Sequence, residues 1–163
     1  MEGGVIDWFF AIFWASFGLV AVLVDPCGLA LGVWPPPQIC DVMVRYAERL
    51  DPVYASKPLW LKVCIAAELA LYPAFCVAAC VALRRGISKS QWLKLPAVVV
   101  TTIILQSYTQ IIAHNFFDTA SPTSAFVVVP PRPMLWIALY FPYILIPCLF
   151  VARVFAARHP KLD

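Results

Sequence analysis

Glu68 stands roughly nine residues inside the stretch 59–83, whose only other charged residue is Lys62 near one end. At about 1.5 Å of helical rise per residue, that is roughly 13 Å into an apolar layer. An ionisable group is expensive at such depth and is by default a functional hypothesis. Asp25 closes a second apolar stretch, 5–24, at the same end as the start of 59–83. Pro26 and Gly28 break a helix there, so the chain turns, and the turn can lie at membrane depth if it lines a cavity. Two close carboxyls in a low dielectric share one proton and titrate as a unit. The single negative charge that remains, ringed by aromatics, suits a ligand with one cationic amine and an apolar body.

Further polar groups recur at the same level. Gln106, Gln110 and His114 are spaced by four and share one helical face, with Ser107 adjacent. Trp136, Tyr140, Tyr143 and Pro147 form a stripe at helical spacing near the C-terminus. Asp25, Glu68, Gln106, Gln110, Tyr140 and Tyr143 together describe a small-molecule pocket, mostly apolar with a few convergent polar groups. The glutamines are equally the residue type that joins helices by hydrogen bonds, and aromatic stripes also pack or mark an interface. With two histidines and no cysteine pattern of metal spacing, no metal or other cofactor is expected. Cys64, Cys76, Cys80 and Cys148 fall within apolar stretches and behave there as small hydrophobes. Cys27 and Cys40 share a loop and can pair in an oxidising compartment, although spacing alone does not show that the geometry is met.

The elements that must position these groups follow from composition. The 163 residues are 63% hydrophobic and 13% charged, with a formal net charge of +3 and a mean hydropathy of +0.84. That leaves too little polar surface to cover a water-soluble globule. Soluble enzymes and disordered tails are excluded, and a nucleic-acid partner is not expected without a large basic patch. Four stretches, about 5–24, 59–83, 95–117 and 134–155, are long and apolar enough to cross about 30 Å of hydrocarbon. Each is expected to be helical, since backbone groups in lipid are satisfied only within a helix or a closed barrel, and barrel alternation is absent. The fold class is all-α: a single domain over 1–163, a four-helix transmembrane bundle.

Arg84, Arg85, Lys89 and Lys94 crowd an acid-free connection, and Arg153, Arg158 and Lys161 fall on the same side. Lysine and arginine accumulate on the cytoplasmic side, so both termini are expected there. The long first loop, 25–58, then faces the lumen or exterior. Within it Ile39, Val42, Met43, Tyr46, Ala47 and Leu50 recur at helical spacing with charges between them, giving an amphipathic helix that ends at Asp51-Pro52. It can lie on the bilayer surface or lid the bundle.

Several short runs resemble one family in order along the chain. They are Tyr46-Ala47-Glu48, Asp51-Pro52, Trp60-x-Lys62, Glu68-Leu69 followed by Pro73, Trp92 with Pro96-Ala97, and Tyr140-Phe141-Pro142-Tyr143-Ile144-Leu145-Ile146-Pro147. Each run is weak alone; together they resemble the sigma-2 receptor branch of the expanded emopamil-binding (EXPERA) superfamily over nearly the whole length. The resemblance implies that Asp25 pairs with a ligand amine and that Glu68 is its buried partner. It implies that Asp51 supports the pocket rather than contacting the ligand, and that Tyr140 and Tyr143 line the cavity. Ser107 falls at a pocket threonine position of the family, and Tyr72 stands where the family usually has glutamine. The family implies an endoplasmic-reticulum membrane protein, often a homodimer, that binds sterols and cationic amphiphiles. It also implies a role in sterol homeostasis beside a Niemann–Pick type C-like transporter.

Two functions remain to be separated. One is a sterol and lipid-like amine receptor. The other is a sterol Δ8–Δ7 double-bond isomerase of the emopamil-binding type, in which an acid protonates the double bond and a base removes a proton from the carbocation. That branch relies on a histidine and a glutamate together, and neither His114 nor His159 is suitably placed for it.

Overall fold

The structure, a computed structural model, describes residues 4–29, 34–117 and 130–157. Arg158 and Lys161, used above to orient the chain, lie outside the described residues. The described residues form six α-helices and short 3-10 turns, with no strand among them: α1 (Val5–Leu23), α2 (Pro37–Leu50), α3 (Pro52–Ser56), α4 (Leu59–Arg85), α5 (Lys94–Phe117) and α6 (Pro133–Ala156). Four of these, α1 with its continuing turn and α4, α5 and α6, are long and apolar enough to cross a membrane. The chain is an all-α, multi-pass membrane protein.

Proline sets several of the helix starts. Pro37, Pro52 and Pro133 each open a helix at its first position, where the missing N–H has no helical partner to lose and φ is already near the helical value. Gly86 ends α4 at φ 94°, a backbone region that a side chain would oppose. The amphipathic helix expected in the first loop is α2; the single turn α3 behind it was not foreseen.

Trp14 is fully buried and organises one core. Its indole meets Phe17, Phe75 and Phe150 with ring centroids 5.7, 4.9 and 5.2 Å away, all edge-on, the arrangement that ring quadrupoles favour. A second, smaller core of Val53, Leu61, Ile65, Ile111 and Trp136 lies towards α2 and α3. Large apolar side chains such as Leu59, Val63, Val77 and Leu95 remain exposed on the outer faces, which is the surface expected of helices solvated by lipid.

Close approach of α1 and α4 depends on Gly18. A Cβ there would lie 3.0 Å from the Cβ of Cys76. At the opposite end of α1, Asp7 is buried and takes Nε and an Nη of Arg153 at 3.1 and 3.2 Å. This fork joins the first turn of α1 to the last turn of α6. The two residues stand 146 positions apart, so spacing along the sequence does not reveal the pairing.

Candidate functional site

A cavity of about 380 Å³ lies where the two cores meet, in the half of the bundle covered by α2 and α3. The last turns of α1 and the turn after it contribute Phe17, Val20, Val24 and Asp25, while the first half of α4 supplies Cys64, Glu68 and Tyr72 among others. From α5 come Ser107, Tyr108 and Ile111, and from α6 Leu139, Tyr140 and Tyr143. Met43 and Tyr46 of α2 and Tyr54 of α3 close the end. The chain has six tyrosines, and every one lines this cavity. Of the phenylalanines among the described residues, only Phe17 does so. With Trp60 added, six of the eight aromatic lining residues carry a hydroxyl.

Both candidate carboxyls face this space, close enough to feel each other's charge. Asp25 comes near Glu68 because α1 ends at Leu23 and continues as a 3-10 turn over Asp25–Gly28 that packs against α4. Gly28 allows this approach, since a Cβ there would collide with the end of Ile65 on α4. The Tyr54 hydroxyl donates to Asp25 Oδ1 at 3.3 Å. The Tyr72 hydroxyl makes a long bond of 3.5 Å to Glu68 Oε1, and Ser107 lies beside the same carboxyl. Among the described residues, no lysine, arginine or histidine lines the cavity.

Asp51 is fully buried between α2 and α3, outside the cavity. Its Oδ1 caps α3 by accepting from the Tyr54 amide at 3.2 Å, and its Oδ2 accepts from the Tyr140 hydroxyl. Burial pushes the Asp51 carboxyl above the ordinary carboxylate range, while these donors favour the charged form and pull the other way. The Trp136 N–H adds to that pull without making a hydrogen bond of normal geometry. Burial, reinforced by the Asp51 charge, pushes Tyr46 up to about 12. Tyr54 is also raised well above its ordinary value, first by burial and then by the charge of Asp25.

The structure brings Asp25, Glu68, Tyr72, Ser107, Tyr140 and Tyr143 together and leaves two expected members out. Gln106 is exposed on the outer face of α5, and Gln110 accepts from the Cys64 thiol at 3.2 Å instead of reaching the cavity. The buried face of α5 runs through Val100, Ile104, Ser107 and Ile111. Gln106 precedes Ser107 by one residue and is thus turned about 100° away from that face. His114 packs on the Trp60 ring, centroids 5.6 Å apart, rather than lining the cavity. The sequence reading missed Tyr54 and Tyr108 as cavity residues. Tyr108 follows Ser107 and Tyr54 lies in the first loop; the shared residue type was the available signal.

A disulfide joins Cys27, in the turn that carries Asp25, to Cys40 on α2, with Cα atoms 5.2 Å apart. The Lys57 ammonium donates to the Cys27 carbonyl at 3.3 Å, and the Trp34 indole N–H to the Val22 carbonyl at 2.9 Å. The covering helices are thereby tied to the end of α1.

The fold and cavity together define a four-span helical membrane protein with an acidic, tyrosine-lined chamber in one half of the bundle. No protein-family model matches the chain. It is similar, however, to Sigma intracellular receptor 2 of Xenopus tropicalis, with 25% identity over 158 residues that cover 95% of this chain and 91% of that protein. The similarity to the sigma-2 receptor branch thus extends along nearly the whole chain, as the colinear motifs suggested.

Proposed function

We propose that the protein is a sigma-2-receptor-like membrane receptor whose cavity takes amphiphilic ligands with one cationic amine and an apolar, sterol-like or lipid-like body. One observation carries this reading: a tyrosine-rich chamber holds two carboxyls and, among the described residues, no basic side chain. A cation placed there gains both carboxyl charge and the faces of the rings. An anionic ligand would meet uncompensated negative charge. By the same reading the protein works in the endoplasmic-reticulum membrane with both termini cytoplasmic and serves sterol homeostasis. Its partners are then membrane lipids, a Niemann–Pick type C-like transporter and a second copy of the chain.

The test is equilibrium binding of a labelled cationic amphiphile to the purified protein, its Asp25→Asn variant and its Glu68→Gln variant. Loss of a charge-assisted contact is expected to weaken binding by roughly tenfold to a hundredfold for Asp25→Asn. Unchanged affinity in both variants overturns the proposal. The same carboxyl pair supports the isomerase reading, and rescue of an isomerase-deficient yeast strain would decide for it.

A further inference from the structure

We infer that Tyr54 is the positioning residue that aims the Asp25 carboxylate at a bound amine, and that Asp51 acts on the ligand through Tyr54. The inference rests on the receptor reading above and adds to it a specificity-determining residue that lies on neither of the two acids.

The geometry runs in one direction across the covered end of the cavity. Tyr140 on α6 donates to one oxygen of Asp51, whose other oxygen takes the backbone N–H of Tyr54. That capping bond fixes the first turn of α3, a helix of only five residues that has little stability of its own. Its side chain then reaches Asp25 Oδ1 with the phenol hydroxyl. The ring sits near Gly28, where a Cβ would be 3.6 Å from Tyr54 Cε1. Lys57, just after α3, donates to the Cys27 carbonyl of the same turn. Tyr54 is therefore held at its backbone by Asp51 and spans from α3 to the acid at the end of α1.

The consequence is chemical. With Oδ1 occupied by the phenol, the carboxylate cannot rotate freely, and Oδ2 is the oxygen left for a ligand. A donor on one oxygen also stabilises the ionised carboxylate that an ammonium needs as its partner. Tyr54 contributes to cation selection in this way by donating its hydroxyl to Asp25. Asp51, fully buried and not itself a lining residue, reaches the amine through Tyr54, whose backbone it holds.

The experiment compares two probes on wild type, Tyr54→Phe and Asp25→Asn: a fluorophore-tagged dodecyl tertiary amine and its uncharged dimethylamide counterpart. Tyr54→Phe is expected to weaken the amine by roughly tenfold and to leave the amide within twofold of wild type. The amide reports whether the cavity is built, so a variant that merely misfolds loses both probes. Equal loss of both probes in Tyr54→Phe overturns the inference, because it would make the residue a structural support. Unchanged amine affinity in Tyr54→Phe, with Asp25→Asn still impaired, overturns it and leaves the receptor reading standing. Unchanged amine affinity in Asp25→Asn overturns the inference, and the receptor reading falls with it if Glu68→Gln is unchanged as well.

Discussion

The Tyr140 hydroxyl donates to the Asp51 carboxylate across 89 positions of sequence, so the last spanning helix holds the cap of the short helix behind the first loop. Removing the donor strands a buried acceptor, which costs more than the bond itself contributes. Tyr140→Phe is therefore expected to destabilise the protein by about 1–3 kcal/mol. Thermal unfolding in detergent micelles checks this, and a change within error would show that water or another donor replaces the phenol.

Asp51 also predicts a pH dependence. Its folded-state carboxyl titrates above the ordinary value of 3.8 because burial disfavours the charge. The native state then binds the proton more tightly than the unfolded chain. Stability contributed by this group is present at low pH and falls as pH rises from the ordinary value through the raised one. The difference in melting temperature between wild type and Asp51→Asn should therefore change across that interval and level off above it. A difference that is flat with pH would refute the direction.

Much of this architecture was legible in the amino-acid order, for definite reasons. Spans of about 20 apolar residues have few structural alternatives in lipid, and the proline before each of several helices marks their starts. Glu68 was legible because a carboxyl at that depth is costly. Gln106 was placed on the wrong side because a four-residue repeat identifies a helical face without saying which way it points, and the polar residues of α5 are spread around the helix rather than gathered on one face. Tyr54 was hidden for another reason. It lies in a loop, where no periodicity guides assignment, and its role depends on a turn of α1 that only the folded packing brings beside α3.

The Cys27–Cys40 bridge closes a loop with a sequence separation of 13. In the chain-entropy description a loop of that size restricts the unfolded state by roughly 3 kcal/mol. Cys40→Ser should lower stability by up to about that amount, and adding dithiothreitol should bring wild type down to the same level. Because the bridge fastens α2 over the cavity, amine dissociation from the reduced protein should also quicken. Identical unfolding of the wild type with and without reductant would argue that the bridge contributes nothing.

Arg153 answers a buried acid at the other end of the bundle. Removing the guanidinium leaves Asp7 buried and without its fork, whereas removing both charges leaves no uncompensated ion. Arg153 is partly exposed, with 34% of its side chain accessible, so solvent softens the effect. Arg153→Ala is expected to cost about 1–3 kcal/mol and the Asp7→Asn/Arg153→Gln double variant less. Equal losses in the two proteins would mean that packing, not charge, is what the pair provides.

Gly18 and Gly28 separate two kinds of close approach. At Gly18 the neighbour is Cys76 Cβ, 3.0 Å from where a new Cβ would stand, and this atom is fixed to the α4 backbone. At Gly28 the obstruction is the terminal methyl of Ile65, which can change rotamer. Substituting alanine at residue 18 must therefore push α1 and α4 apart over part of their length, and overpacking of this kind costs about 1–3 kcal/mol. Gly28→Ala moves one methyl group, which borders the cavity, and should lose less stability while reshaping the site beside Asp25. Melting curves and amine affinity measured together distinguish them: Gly18→Ala should be hurt mainly in stability and Gly28→Ala mainly in binding. The reverse pattern would mean that the α1–α4 contact yields more easily than the wall of the cavity.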